Sequence, residues 1–341
     1  MTVNSKALNL CTLFDKRFLL QGITMIQSVE RFAAAKINWT VLALDEETFQ
    51  FLTEKNLVNL EIVTLDSIDD KELKALKGIR PWNQLCWTSA ACLLRFVNLK
   101  IHEGEIAGYI DADCFFFYDV LKTLQPLHFG SCIAIHEHRY SADRVKWLNL
   151  SGRFNVGLVA GVSGTEFDQC IERWRIQVLD NCEVDKSAGK CGDQTYLNEW
   201  PDLYRNLSIL DEKGVGVAPW NLNNYHITLK NNQIHVDLEP LQFFHFHGLE
   251  IGWISKSLQI YKYAPGYSLN WGEVSPIYEA YLNRLREQVG IDFSNVRNIK
   301  FSKIKWWISG LIKKNLVLNF QVVGYQFAAS FARIRLSKIG E

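Results

Sequence analysis

The chain has 341 residues, of which 48% are apolar and 22% charged, and its formal net charge is zero. This composition excludes a disordered or collagen-like chain and predicts a globular protein with a large core. No stretch reaches the roughly 18 apolar residues that a membrane-spanning helix needs, and the amino terminus does not resemble a signal peptide, so a cytoplasmic protein is expected.

The first half of the chain alternates segments with strand and helix patterns. Strands are predicted over residues 7–14, 39–44, 60–65, 106–110 and 131–135, and helices over residues 18–32, 46–55 and 87–99. Strands that alternate with helices pair side by side in the same direction. The predicted fold class is therefore α/β, with a mixed, mainly parallel sheet and helices on both of its faces.

The second half has a less regular pattern. A strand is predicted over residues 155–162 and a helix over 165–179, followed by a hairpin whose strands, 227–229 and 234–236, flank Asn231 and Asn232. No internal repeat or low-complexity linker interrupts the chain, so we expect one domain over residues 1–290 and an appendage over 291–341. Eight scattered cysteines without a C-x-x-C pair predict buried thiols rather than disulfides or a zinc site.

Two aspartates at the end of an apolar strand form the first candidate site. Asp111 and Asp113 lie in the segment EIAGYIDADCFFF, and side chains at i and i+2 of a strand point the same way. Such hard oxygen ligands suit Mn²⁺ or Mg²⁺, and open α/β sheets bind ligands outside the carboxyl ends of their strands. The pair predicts a divalent-metal site, with a solvated acidic turn as the alternative.

Further polar residues could complete such a site. His245 and His247 are candidate third ligands, because the alternation in FFHFHG predicts that both lie on one strand face. Asn155 opens a predicted strand, where its amide can recognise hydroxyl groups or serve a turn. Asp193 and Gln194 precede the segment TYLNEW, and Asp193 also fits a helix N-cap there.

Several short motifs, in order along residues 7–255, resemble those of one enzyme family. Besides the D-A-D at 111–113, they are TLFDKRFLLQGITMIQSV after the first strand, F-N-V-G at 154–157, D-Q-T-Y-L-N at 193–198, P-W-N at 219–221 and H-x-x-G-x-x-I-G-W at 245–253. Together they resemble the retaining glycosyltransferases of the GT-A fold that include glycogenin and bacterial lipooligosaccharide galactosyltransferases, glycosyltransferase family 8.

The resemblance implies a Rossmann-like GT-A domain over residues 1–290, with a nucleotide-binding half, 1–125, and a sugar- and acceptor-binding half, 126–290. It assigns the metal to Asp111, Asp113 and His245, with His247 as the competing imidazole. Asp193 and Gln194 would face the reacting sugar. Donor contacts would come from Asp15 at the nucleobase, the two metal-binding aspartates, Asn155, Gly157, Trp220, Asn221, Gly248 and Trp253.

One departure from the family concerns the diphosphate. Ile251 and Gly252 stand where the family has Lys-Pro, which removes a cation, and Lys256 or Lys262 could replace it. Arg95, in a predicted helix, is a further candidate for phosphate contact, although a solvated helix Arg is the alternative. The segment 136–138, His-Glu-His, lacks a fourth ligand nearby, so acceptor contacts are favoured over metal binding there.

The resemblance implies a metal-dependent hexosyltransferase that moves a hexose or N-acetylhexosamine from a nucleotide sugar, with a UDP-sugar as the expected donor. Retention of configuration and a saccharide or lipid-linked saccharide acceptor are expected, as in bacterial lipopolysaccharide or capsule synthesis. A sugar-phosphate nucleotidyltransferase is disfavoured, because no glycine-rich loop follows the first strand. An inert protein that binds nucleotide sugars remains the other alternative.

The carboxyl-terminal segment is strongly basic. Residues 297–341 contain nine Lys or Arg and one acid, and Trp306, Trp307, Leu311 and Ile312 follow helical spacing between lysines. Such a segment suits an anionic membrane surface rather than a span, so peripheral binding to the inner face of the plasma membrane is expected. Packing onto the domain is the alternative, and without a nucleic-acid-binding motif no nucleic acid partner is expected.

Overall fold

The computed structural model describes residues 8–185, 189–254, 257–262, 264 and 266–287, with backbone alone for 252–254 and 257–262. The strands are β1 (Leu8–Phe14), β2 (Ile37–Ala43), β3 (Leu60–Val63), β4 (Ile106–Ile110), β5 (Cys114–Phe116), β6 (Ile133–Glu137), β7 (Phe154–Val162), β8 (Val184–Asp185), β9 (Lys190–Cys191), β10 (Leu207–Ile209), β11 (Ile227–Lys230), β12 (Gln233–Val236), β13 (Glu239–Pro240), β14 (Phe243–His245), β15 (Glu250–Ile254) and β16 (Ser257–Lys262).

The α-helices are α1 (Leu19–Phe32), α2 (Glu46–Lys55), α3 (Lys71–Ala75), α4 (Trp82–Asn98), α5 (Val120–Thr123), α6 (Gln125–His128), α7 (Leu148–Ser151), α8 (Thr165–Asp180), α9 (Trp200–Leu203) and α10 (Trp271–Glu287). Short 3₁₀ helices lie at Val145–Trp147, Gln194–Glu199 and Leu222–Asn224. No helix in these described ranges is long and apolar enough to cross a membrane. The appendage predicted over 291–341 lies outside the described residues.

The central sheet has seven strands in the order β10-β6-β7-β4-β1-β2-β3. Neighbouring strands are parallel except at β7, which is antiparallel to both β4 and β6. The predicted α/β class with a mainly parallel sheet is confirmed. Because β7 runs against β4, the carboxyl end of β4 meets the amino end of β7, which brings the D-A-D and F-N-V-G motifs together.

Helices cover the sheet on both faces, and β1 shows how the sequence achieves this. Every residue of β1 is buried, as expected of a parallel strand covered on both sides. Alternate side chains point to opposite faces. Cys11 and Leu13 join the core cluster formed with α4 and α8, whereas Phe14 packs against α1, where a Cβ on Gly22 would lie 2.4 Å from its ring.

The predicted elements are present with shifted ends. The helix predicted from residue 87 begins five residues earlier, at Trp82, directly after the extended backbone of Pro81. The strand predicted over 131–135 is β6, which continues to Glu137 because its last residues pair with the start of β7. The predicted hairpin is confirmed, with Asn231 and Asn232 at φ of 50° and 61° between β11 and β12, as type I′ turns require.

Candidate active site

Asp111 and Asp113 follow β4 at the predicted sheet edge. Their side chains are 30% and 22% exposed, so both are recessed but reachable. The Tyr109 hydroxyl donates to Asp111 Oδ1 at 2.8 Å. Burial and the neighbouring Asp113 charge raise the pKa of Asp111 above its ordinary value. The pair therefore carries unbalanced negative charge, as a cation site does.

His245 reaches this pair through a long-range strand pairing. β14 pairs antiparallel with β5 and places His245 opposite Cys114, while the Phe246 N–H donates to the Asp113 carbonyl at 2.8 Å. His245 Nε2 consequently lies 3.0 Å from Asp113 Oδ1 and 3.8 Å from Asp111 Oδ2. Burial alone would lower the pKa of His245, but attraction to Asp113 outweighs it and raises that pKa.

His247 does not share a strand face with His245, contrary to the sequence-based expectation. β14 ends at His245, and the His247 N–H donates to the His245 carbonyl at 2.8 Å, so the chain turns. The His247 ring is exposed and lies 6.2 Å from the His245 ring, centre to centre. Of the two candidates, the structure places His245 directly between the carboxylates.

Asn155 and Gly157 bring the start of β7 against His245. The Asn155 Oδ1 atom accepts from the Gly157 N–H at 2.9 Å and lies 3.1 Å from His245 Nδ1. A Cβ on Gly157 would lie 2.8 Å from that same Nδ1 atom. A glycine is required at 157 because the imidazole packs directly on the backbone of β7. Asn155 and Gly157 therefore both contact His245.

Asp193 and Gln194 lie beside this group. The Asn155 Nδ2 atom donates to Gln194 Oε1 at 3.3 Å, and Trp174 Nε1 donates to the Asp193 carbonyl at 3.0 Å, which fixes the loop on α8. The expected helix cap is wrong, because Asp193 precedes a 3₁₀ helix and its side chain makes no capping hydrogen bond. Burial and the charge of Asp111 raise the pKa of Asp193 well above its ordinary value.

The polar side-chain atoms of Trp220 and Asn221 bind backbone beside the site and do not line it. Trp220 Nε1 and Asn221 Nδ2 both donate to the His138 carbonyl, at 2.9 and 2.8 Å. Asn221 is fully buried and its amide is bonded to backbone groups, so donor contact by Asn221 stays a prediction that this geometry does not favour. The Trp220 ring instead packs 5.3 Å from the His245 ring and 5.6 Å from the His247 ring, centre to centre.

Asp15 follows β1 at the same edge of the sheet. Its Oδ2 atom accepts from Arg17 Nε at 2.7 Å and from Trp82 Nε1 at 3.2 Å, and its Oδ1 accepts from the Arg17 N–H at 2.9 Å. Trp82 and Phe18 are 40% and 39% exposed. The Asp15 carboxylate, held by Arg17 and by the half-exposed Trp82, offers hydrogen-bond acceptors for a polar base.

The structure does not bring Arg95 to this group. Its guanidinium forms an ion pair with Glu172 of α8, so the predicted phosphate contact is replaced by a link between helices. Gly248 lies in an exposed turn with φ of 74°. Trp253 and Lys262 fall in β15 and β16, where the backbone alone is described, and Lys256 lies outside the described residues.

Sequence reasoning missed two neighbours of the site. Tyr109 lies two residues before Asp111 on the same strand, so the two-residue periodicity of a strand could have identified it. His138 was noticed, but not its contact with Asn155 Nδ2, whose donor–acceptor distance is 3.2 Å. That contact joins the ends of β6 and β7, and no local signal predicts it.

The residues present fit a divalent cation. In an octahedral site with bonds of about 2.1 Å, adjacent ligand atoms lie about 3.0 Å apart and opposite ones about 4.2 Å. His245 Nε2 and Asp113 Oδ1, 3.0 Å apart, are at the spacing of adjacent ligands, and with Cys114 they form a group whose ligand atoms lie within 4.8 Å of one another. Asp111 Oδ2 lies 3.8 Å from the same nitrogen, between the two spacings. Two carboxylates suit Mn²⁺ or Mg²⁺, and the imidazole favours the transition metal. Asp111, Asp113 and His245 would hold the ion.

Comparisons with known proteins bear on the fold of the chain. No family model matches the chain. Two uncharacterized proteins of Bacillus subtilis, YfnD and YfnF, are each 28% identical to it, over 70% and 74% of this chain and 77% and 85% of their own. Among solved structures, the galactosyltransferase LgtC in complex with donor and acceptor sugar analogues matches with a TM-score of 0.51 at 12% identity, covering 82% of this chain and 95% of that one. The chain has the GT-A fold of this galactosyltransferase.

Proposed function

We propose that this protein is a metal-dependent glycosyltransferase that moves a hexose or N-acetylhexosamine from a nucleoside-diphosphate sugar, a UDP-sugar first of all, to a saccharide acceptor with retention. The observation that carries the proposal is the convergence of Asp111, Asp113 and His245 beside Asp193 and Gln194. Because these residues lie at the carboxyl edge of a GT-A sheet, they form one site suited to a diphosphate and a sugar.

Different residues act at the diphosphate end and at the sugar end of the donor. A bound Mn²⁺ or Mg²⁺ would act as a Lewis acid on the departing diphosphate oxygens. Asp111, Asp113 and His245 hold that end, and Asp15 with Trp82 holds the nucleobase. The recessed position of the carboxylates keeps water from competing for the diphosphate.

Asp193 acts at the sugar end. As the bond to the diphosphate breaks, positive charge develops on the sugar ring, and a nearby carboxylate stabilises that charge in either retaining route, with or without a covalent intermediate. The charge of Asp111 opposes ionisation of Asp193. Neutralising Asp111 would therefore favour the ionised form of Asp193, which links occupancy of the diphosphate end to reactivity at the sugar end.

Incubation with a panel of nucleotide sugars tests the proposal, with release of nucleoside diphosphate as the readout and with Mn²⁺ or excess EDTA added. We expect release from at least one donor with Mn²⁺ and none with EDTA. Release of pyrophosphate from sugar phosphate and nucleoside triphosphate would indicate a nucleotidyltransferase. Tight binding of a nucleotide sugar without any turnover would indicate an inert binding protein.

The acceptor proposal rests on the basic segment 291–341, which lies outside the described residues. An acceptor carried by a lipid would be presented at an anionic surface, where each basic side chain contributes about 1 kcal/mol, as in bacterial lipopolysaccharide or capsule synthesis. Deletion of residues 303–341 should abolish sedimentation with anionic vesicles while donor hydrolysis persists. A full-length protein that ignores such vesicles at low salt would remove the support for a lipid-linked acceptor.

A further inference from the structure

Asn155 contacts four groups of the site, although it is only 6% exposed. Its Oδ1 atom meets the Gly157 N–H and His245 Nδ1, at 2.9 and 3.1 Å. Its Nδ2 atom meets His138 Nε2 and Gln194 Oε1, at 3.2 and 3.3 Å. One amide therefore joins the metal-binding imidazole to the residue at the sugar end.

The backbone of Gly157 fixes which way this amide faces. A backbone N–H can only donate, so the Asn155 atom opposite it must be the acceptor oxygen. The amide nitrogen must then face His138 and Gln194. Rotating the amide by 180° would oppose two N–H donors at Gly157 and place an oxygen against the Gln194 oxygen, which leaves buried polar groups unpaired.

The orientation of the amide in turn fixes both imidazoles. Because Asn155 Oδ1 accepts, His245 Nδ1 must carry a hydrogen, and the other ring nitrogen, Nε2, is the one that faces Asp111 and Asp113. His138 Nε2 must accept from Asn155 Nδ2. Burial lowers the pKa of His138 to about 3, which keeps that ring neutral and able to accept.

We propose that Asn155 is a positioning residue: its oxygen accepts from His245 Nδ1 and so turns Nε2 toward the two carboxylates, and its nitrogen orients the Gln194 amide. Ligating imidazoles usually need such a partner on the other ring nitrogen, and its loss costs about 10- to 100-fold in metal affinity. The part of this role that concerns Gln194 rests on the proposed function. The part that concerns His245 does not, because Mn²⁺ binding can be measured without any glycosyl transfer.

Two substitutions separate the two sides of the amide. Asn155→Asp keeps an oxygen for His245 and Gly157 but puts a second oxygen against Gln194, whereas Asn155→Ala removes both sides. Asn38→Asp, at the amino end of β2, is the matched control for the added charge. Thermal unfolding of each variant shows whether it is folded.

The first measurement is the affinity for Mn²⁺ alone, followed by electron paramagnetic resonance. We expect binding weakened about 10- to 100-fold in Asn155→Ala and not weakened in Asn155→Asp, which keeps an oxygen for His245 Nδ1. Because that oxygen acts through the imidazole, Asn155→Ala should weaken binding no further in a protein that already carries His245→Ala.

Turnover of the donor should fall in Asn155→Ala, which loses the contact with Gln194, and stay at the wild-type level in Asn38→Asp. An unchanged Mn²⁺ affinity in a folded Asn155→Ala, or a further loss of affinity when Asn155→Ala is added to His245→Ala, would overturn the proposal. If no donor is turned over at all, the Mn²⁺ results still decide it, because they do not depend on glycosyl transfer.

Discussion

Two clusters of ionisable side chains in the described part of the chain are built in opposite ways. On the α8 side of the core, Arg175 binds Asp70 through Nε and Nη2, at 2.6 and 2.9 Å, and also contacts Glu72 and Glu172. Burial would raise the pKa of Asp70, yet the hydrogen bond from Arg175 lowers it below its ordinary value. Every carboxylate of this cluster therefore contacts a guanidinium, and in that sense the cluster is balanced.

The cluster at the end of β4 is not balanced. Within the described residues, no Lys or Arg forms an ion pair with Asp111, Asp113 or Asp193, and His245 is the partner of the first two. The pKa of Asp111 and of Asp193 is raised by burial and by like charge. Elsewhere among the residues that the structure describes, carboxylates are paired with arginine, whereas Asp111, Asp113 and Asp193 have no such partner in that part of the chain. Because groups with perturbed pKa values cluster at functional sites, we infer that a ligand cation binds here.

The largest effect expected from this contrast is on turnover. Asp113→Asn should lower donor turnover by about 10³- to 10⁴-fold, because the diphosphate end loses a ligand worth several kcal/mol in the transition state. The melting temperature of the metal-free protein should fall only modestly, because the substitution removes the attraction between Asp113 and His245 but also relieves the repulsion between Asp113 and Asp111. Asp70→Asn is the matched control and should lower the melting temperature without lowering turnover. Near-normal turnover by Asp113→Asn at micromolar Mn²⁺ would contradict the metal assignment.

Asp193→Asn should reduce turnover by about 10²- to 10³-fold while calorimetry shows nearly unchanged binding of the nucleoside diphosphate. Asp193 acts on the charge of the sugar ring, so its loss affects an interaction made mainly in the transition state. If diphosphate binding falls in parallel with turnover, Asp193 belongs with the metal-binding residues instead.

Breaking the balanced cluster should affect stability rather than chemistry. Arg175→Met leaves Asp70 buried without its partner and should cost about 3 to 5 kcal/mol of unfolding free energy, with turnover per folded molecule unchanged. Because the folded-state pKa of Asp70 is lowered, the pair contributes stability above about pH 4, and this contribution is lost as the pH falls through the folded-state value. Equal stability of variant and wild type at pH 7 in urea titrations would show that the pair is dispensable.

A smaller effect separates the two histidines. His245→Ala should weaken Mn²⁺ binding by more than the roughly 10- to 100-fold that loss of an outer partner of a ligand costs, whereas His247→Ala should change it less, because its ring lies outside the gap between the carboxylates. Since the pKa of His245 is raised, Mn²⁺ must compete with a proton, so affinity should increase as the pH rises through that pKa. A larger loss in His247→Ala would reverse the assignment.

Local sequence predicted the parts of the site that local structure determines. Asp111 and Asp113 were identified because they follow an uninterrupted apolar strand, and side chains two residues apart on a strand point the same way. The choice between His245 and His247 was left open, because it depends on the pairing of β14 with β5, which are distant in sequence. Arg95 was misplaced for the same reason, since its partner Glu172 belongs to another helix.

The central claim is that the unbalanced cluster binds a divalent cation and the balanced one does not. Thermal unfolding of wild type, Asp113→Asn and Asp70→Asn with and without Mn²⁺ tests it most directly. A ligand at a hundredfold excess over its Kd stabilises the folded state by about 2.7 kcal/mol. We predict that Mn²⁺ raises the melting temperature of wild type and Asp70→Asn by similar amounts and leaves Asp113→Asn unchanged. The same Mn²⁺ shift in all three proteins, or no shift in the wild type, would contradict the claim.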